Sequence, residues 1–167
     1  ENLSFFDEDS KEKFIPHVLE LSFGVDRNFY SILNFAYFYD EKRQNIVLRL
    51  HPKLAPVKAA IFPIVKREDF EKISEEIFND LKKEFNVVYD KSGSIGRRYA
   101  RNDEIGTLFC ITIDEDSLKN KNVTMRIRDS AEQVRIKIKD LRESLRKVIN
   151  EGEDIFKMGK VVNTRKK

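Results

Sequence analysis

A nineteen-residue amphipathic stretch between apolar runs narrows the folds open to this chain. From Arg67 to Phe85, the residues Phe70, Ile73, Ile77, Leu81 and Phe85 recur at steps of three and four, so they share one face of a helix. Lys58–Val65 ahead of it reads as a buried strand. Asn86–Tyr89 behind it reads as a short strand, and Thr107–Ile113 is apolar and β-branched, as a central strand would be. A helix with one apolar face must lay that face on a partner, and strands alternating with helices supply a sheet.

The rest of this region extends the sheet. Val134, Ile138, Leu141, Leu145 and Val148 would fit one helical stripe, but Val134-Arg135-Ile136-Lys137-Ile138 alternates strictly. The alternation predicts a hairpin of Val123–Arg128 and Gln133–Ile138. Asp140 is expected to cap a final helix, with Glu143 completing a capping box and the end near Gly152. The expected fold is α/β, a mixed five-stranded sheet flanked by helices over residues 53–151. Residues 152–167 read as a weakly ordered basic tail. Upstream, Val18–Phe23 reads as a strand, Asn28–Tyr39 as a helix with Phe29, Ile32, Leu33, Ala36 and Tyr37 on one stripe, and Ile46–Leu50 as a strand. Pro52 and Pro56 place a domain boundary near residue 52.

Charge is distributed unevenly. The net charge is only +3, but residues 91–101 carry four basic residues and no acid, as do residues 160–167. Such local concentrations are what a phosphate backbone senses. The single cysteine, Cys110, excludes an internal disulfide and a cysteine-based zinc site, and it reads as a buried filler. His17 and His51 stand apart, so no metal site is expected. No apolar run approaches the roughly 18–20 residues that cross a bilayer, and no signal peptide is visible. No membrane partner and an intracellular, cytoplasmic location are therefore expected. The first residue is Glu1, which suggests a chain that begins inside a longer protein or after processing.

Two segments carry candidate chemistry. Residues 91–106 hold three of the six glycines together with Arg97, Arg98, Tyr99 and Arg101. Backbone N–H groups near Gly93 and Gly96 suit an anion, and a tyrosine can stack on a base. The same run also fits a basic turn neutralised by Asp103 and Glu104. Arg97 and Arg98 are adjacent, so at least one arginine should point into solvent. The run lacks the ending of a Walker loop. The second segment is Pro16–Arg27. Glu20 offers a carboxylate for an ammonium, Gly24 permits close backbone approach, and Arg27 offers a planar fork for phosphate. It equally fits a helix capped by Asp26 with Glu20 and Arg27 as surface charges.

Both segments resemble one family. Glu20-x-Ser22-Phe23-Gly24-Val25-Asp26-Arg27 is similar to motif 3 of class II aminoacyl-tRNA synthetases, in the form seen in homodimeric-type glycyl-tRNA synthetases. Ser92–Gly106, Leu54-Ala55-Pro56-x-Lys58 and Arg126-x-Arg128-Asp129-Ser130-x-x-Gln133 resemble that family's anticodon-binding domain. The likeness runs from residue 3 to about 151. Leu21 stands where the family usually has proline, and Asp26 where some members have glycine. Motifs 1 and 2 have no counterpart here.

The resemblance implies the C-terminal portion of a glycine–tRNA ligase. Residues 1–52 would be a strand–helix remnant of the antiparallel catalytic domain, residues 53–151 the anticodon-binding domain, and residues 152–167 a basic tail. It implies that Glu20, Leu21, Ser22, Phe23 and Gly24 line a glycine pocket and that Gly24, Val25, Asp26 and Arg27 face ATP, with Arg27 catalytic. Arg97, Arg98, Tyr99 and Arg101 would touch the anticodon of tRNA(Gly). ATP with Mg2+, glycine, the rest of the synthetase and a homodimeric whole enzyme follow from the same likeness. Alone, the chain would be inactive. A synthetase-like accessory subunit of a DNA polymerase is the alternative, and the presence of Glu20, Ser22 and Arg27 argues against it.

Overall fold

The computed structural model describes residues 3–162. The chain divides into two compact units, residues 1–31 and 32–167. The first holds a small antiparallel hairpin of β1 (Phe5–Phe6) and β2 (Lys13–Phe14). Its strands pair Phe5 with Phe14, whose rings meet edge to face at 5.8 Å. Val18–Phe23, expected as a strand, has no regular structure and is exposed throughout. A strand needs ladder partners for its backbone groups, and among the described residues none lies beside it. Helix α1 (Val25–Ala36) starts earlier and ends earlier than expected, with Asp26 in its first turn. Tyr37, Phe38 and Tyr39 leave it as strand β3 (Tyr37–Asp40), paired with β4 (Asn45–Leu48).

The second unit is built on a six-stranded sheet. Its strands are β5 (Ala59–Pro63), β6 (Val87–Tyr89), β7 (Phe109–Ile113), β8 (Asn122–Ile127), β9 (Gln133–Lys137) and β10 (Lys160–Val162). The order is β10-β9-β8-β7-β5-β6, with β6 and β7 parallel to β5 and the others antiparallel to their neighbours. Helix α2 (Glu68–Leu81) joins β5 to β6, and α3 (Ile95–Glu104) joins β6 to β7. Because β6 and β7 lie on opposite sides of β5, two right-handed crossovers put these helices on opposite faces. One face packs Phe70, Ile77 and Leu81 of α2 and Leu141, Leu145 and Ile149 against Ile61, Ile111, Met125 and Ile136. The other face packs Ile95 and Tyr99 of α3 on Ala60, Phe62 and Cys110.

The predicted hairpin is present as β8 and β9. The sheet has one more strand than expected, because residues 152–162 are ordered. Gly152 ends the last helical run at φ 72°, a turn at Ile155–Lys157 follows, and β10 pairs with β9 at the edge. Gly159 allows that return. A Cβ there would lie 2.5 Å from Arg135 O and from Val134 Cγ2. The expected tail beyond Val162 lies outside the described residues. Asp140 does not cap α5 (Leu141–Arg146). A 3-10 turn over Ile138–Asp140 already gives it helical backbone angles, and its carbonyl accepts from Ser144 Oγ.

The sequence reading missed α4 (Glu115–Asn120) with its own capping box. Asp114 accepts from Ser117 N, and Ser117 Oγ accepts from Asp114 N. Asp114 also receives both ends of the Arg135 guanidinium, at 3.0 and 2.8 Å. Burial would push this carboxyl up, but the Arg135 fork and the Ser117 donors outweigh it and hold it below the ordinary 3.8. Its contribution to stability is therefore complete above 3.8 and is lost as pH falls through the lowered folded value. Asp114→Ala should cost about 1–2 kcal/mol, typical of a lost cap, at neutral pH. Urea unfolding measured between pH 2 and 7 should show the deficit vanishing at the acid end.

Candidate functional site

The turn before α3 is tightly held. Asp90 Oδ1 accepts from Ser92 N at 2.8 Å, and Gly93 takes φ 75°, where a Cβ would be strained. Helix α3 then presents its four candidate side chains on two faces, Arg97 and Arg101 outward and Arg98 and Tyr99 inward. Arg97 is exposed and has no ion partner among the described residues. Arg101 is about half exposed, bonded to Asp90 Oδ2 at 2.6 Å and to Ser92 O at 2.9 Å. Burial pushes the Asp90 carboxyl up, yet Arg101 and the Ser92 N–H together hold it below its ordinary value.

Arg98 and Tyr99 are corrections. Arg98 is 4% exposed and donates to Pro63 O at 2.6 Å and to Gly93 O at 3.0 Å. Its fork fixes the glycine turn over the end of β5. Tyr99 packs edge to face on Phe62, and its hydroxyl pairs with Thr112 Oγ1 at 2.8 Å. Arg98 is thus closed to a base, and Tyr99 is only partly exposed. With Ile95, Asn102 and Asp103 they form the inward face of the helix, because steps of three and four bring these positions to one side.

Beneath α3 lies a charge network. Asp103, 1% exposed, receives both ends of Arg126 at 2.8 Å and Arg43 Nη1 at 3.3 Å. Arg43 also donates to Arg128 O at 2.7 Å and Asp129 O at 2.9 Å, and pairs with Asp40 at 3.0 Å. Arg128, 2% exposed, donates to Gly106 O and Leu50 O. Arg126 also lies 4.8 Å from the Tyr99 ring centroid. Gly106, at φ 78°, lies close against the end of β4, where a Cβ would come 3.0 Å from Leu48 O. The sequence reading treated Asp103 only as a neutraliser of its neighbours. The available signal was the alternation of Arg126 and Arg128 in a strand, which puts two cations on one face needing buried partners.

The second candidate segment, in the other unit, is open. Glu20, Leu21, Ser22, Phe23, Gly24, Val25, Asp26 and Arg27 are all exposed. Ser22 Oγ donates to Glu20 Oε1 at 3.3 Å, and Asn28 N donates to Gly24 O at 3.1 Å. The glycine and ATP candidates thus sit together in sequence order without walls around them. Cys110 is buried, and burial pushes its thiol up to about 12, which makes it inert. Among the described residues no three His, Cys, Asp or Glu side chains cluster to hold a metal, and no helix is long and apolar enough to cross a membrane.

The profile of the anticodon binding domain matches residues 58–148, more than half of the chain. The chain belongs to the anticodon-binding domain family. It is 46% identical over 147 residues to the glycine–tRNA ligase of Rhodopirellula baltica, a match covering 84% of this chain and 27% of that protein. With the glycine–tRNA ligase of Malacoplasma penetrans it shares 46% over 162 residues, 95% of this chain and 33% of the relative. The chain spans about a quarter to a third of the curated relatives it matches. A prolyl-tRNA synthetase from Cryptosporidium parvum, solved with halofuginone and AMPPNP, superposes with TM-score 0.57 at 28% identity over 61% of this chain and 22% of that one. The RNA binding domain of a threonyl-tRNA synthetase from the same organism shares the fold, with TM-score 0.52 at 22% identity over 57% of this chain and 24% of that one. The resemblance read from the motifs holds.

The family match begins at Lys58, but the anticodon-binding domain of this chain is clamped further upstream. Arg43 and Asn45, on the β3–β4 hairpin, reach α3 and the β8–β9 turn. Asp103→Ala should destabilise the domain by about 3–5 kcal/mol, because it strands a buried guanidinium. Denaturant unfolding checks this. Adding Arg126→Met to Asp103→Leu should recover much of the loss.

Proposed function

We propose that this chain is the C-terminal portion of a glycine–tRNA ligase. Residues 1–52 close the catalytic domain, and residues 53–151 hold the anticodon of tRNA(Gly). In this reading Glu20 takes the α-ammonium of glycine, Ser22 helps to keep the pocket narrow, and the backbone from Glu20 to Gly24 lines it. Gly24 to Arg27 meet ATP, which brings Mg2+ on its phosphates. Arg27 steadies charge on the phosphate as the glycine carboxylate displaces pyrophosphate. The whole enzyme is read as a cytoplasmic homodimer that contains a further catalytic portion.

The observation that carries this reading is the exposure of the motif-3 segment. Leu19, Leu21, Phe23 and Val25 are 71–87% exposed over a stretch that runs from irregular backbone into the first turn of α1 and also holds Glu20, Ser22 and Arg27. Contiguous apolar exposure of this kind marks a surface that another body covers. For the anticodon contacts, Arg97 and Arg101 remain available. Arg101 would exchange Asp90 for a phosphate or base edge.

The purified chain should give no glycine-dependent pyrophosphate exchange. Fused in place of the matching segment of the Malacoplasma penetrans ligase, it should support exchange, and Arg27→Ala should abolish it. Exchange by the isolated chain sinks the reading. The chain should prefer tRNA(Gly) over the same tRNA with an altered anticodon and over primed DNA. Arg97→Ala with Arg101→Ala should weaken tRNA(Gly) binding about tenfold or more, roughly 1.4 kcal/mol.

A further inference from the structure

Strand pairing gathers three lysine pairs that are far apart in sequence. Lys119 and Lys121 flank the end of α4, Lys137 and Lys139 flank Ile138, and Lys157 and Lys160 flank the turn into β10. The register sets Asn122 opposite Lys137 and Lys160 opposite Arg135, and Ile138 N donates to Lys121 O at 2.9 Å. All six lysines are exposed, and among the described residues none has a carboxylate partner. Arg135 is spoken for by Asp114 and Asn122. Between the strands a groove of about 430 Å³ is lined by Asn122, Arg135, Lys137, Met158 and Lys160, with Asp140 as the acid on its edge. Thr112 pairs with Thr124, so this rim lies at the end of the sheet where β5 and β7 finish. Carboxyl ends of parallel strands are where open α/β sheets take ligands.

We propose that this lysine rim is a sequence-independent contact for an RNA phosphodiester backbone, separate from the base-reading surface of α3. It rests on the reading above only in taking RNA as the partner. Six unpaired ammoniums on flexible stems suit a run of phosphates, because each acts as a compact point charge with no geometric demand on its partner. The chain's net charge of +3 hides them, since the acids of α2 offset them in the sum. A membrane surface is the poorer match. Lipid-binding segments pair their cations with the apolar face of an amphipathic helix, and the rim consists of strand ends and turns.

The test replaces Lys121, Lys137, Lys139 and Lys160 with Gln in one variant and measures binding to tRNA(Gly) and to a 20-nucleotide poly(U) across salt concentrations. Each lost contact should remove about 0.7 from the slope of log K against log salt, so the slope should fall by about 3 for four. Both RNAs should lose affinity by a similar factor, and preference for tRNA(Gly) should be unchanged. Slopes and affinities within twofold of the parent chain overturn the proposal. If the variant does not fold, acetylation of the unaltered chain with and without poly(U) decides. Protection of the rim lysines but not of Lys42 or Lys53 supports it, and equal labelling overturns it. Binding to phosphatidylserine vesicles without any RNA effect also overturns it. A chain that shows no preference for tRNA(Gly) yet loses slope in the variant keeps the rim while defeating the ligase reading.

Discussion

In the larger unit one carboxylate registers helix α3 against the sheet and the β3–β4 hairpin. Asp103 sits beneath α3 and takes two guanidiniums at once, one from the central strand β8 and one from the β3–β4 hairpin. A buried ion pair gives little net stability over a well-packed apolar pair of the same volume. What it does give is direction. Apolar contacts under α3, such as Tyr99 on Phe62, would tolerate the helix sliding along the sheet. A bidentate Arg126–Asp103 contact at 2.8 Å on both arms does not. The second guanidinium is balanced by Asp40, and its remaining donors are met by Arg128 O and Asp129 O. The helix, the hairpin and the β8–β9 turn are therefore fixed as a set.

This arrangement explains how arginines divide their labour on one short helix. A helix turning 100° per residue cannot aim neighbours the same way, so Arg97 faces solvent while Arg98 faces the sheet. The inward one must find oxygens, because burying an unpaired guanidinium costs several kcal/mol. Arg98 finds them on Pro63 and Gly93, at the end of β5 and in the glycine turn. The turn's φ of 75° at Gly93 is thus locked by the arginine that follows it. The outward residue carries no such debt and remains open to solvent.

Much of the sheet could be read from the chain. The stripe from Phe70 to Leu81 and the alternation from Val134 to Lys137 are local patterns set by burial on one face, and both hold, although the helix stops short of Phe85 and the strand short of Ile138. What could not be read depends on contacts across long separations. Tyr37 to Tyr39 continue a helical stripe in sequence, yet pair with Ile46–Leu48 as a strand. Asp140 has the residues of a capping box, but a preceding 3-10 turn removes the geometry. Val18–Phe23 has strand composition without strand neighbours. For the candidate site, composition located the segment 91–106 but could not say which arginine faced inward. That depended on Pro63 O and the ring of Phe62, both distant in sequence, and on which arginine Asp90 takes.

Gly159 shows the same limit from the other side. In the sequence it falls inside the stretch that reads as a weakly ordered basic tail. In the fold it lies so close to Arg135 O and Val134 that no side chain fits, and this closeness lets Lys160 dock beside Arg135. The sixth strand then does two things. It covers the edge of β9, whose free N–H and C=O groups would otherwise template association with another chain. It also carries its lysine to the same end of the sheet as Lys121 and Lys137. Edge protection by a strand rich in lysine is a common solution to the first problem alone. Here the lysines of three separate segments meet at one end instead of spreading along the edge, and that placement follows from the register and not from the need to block an edge.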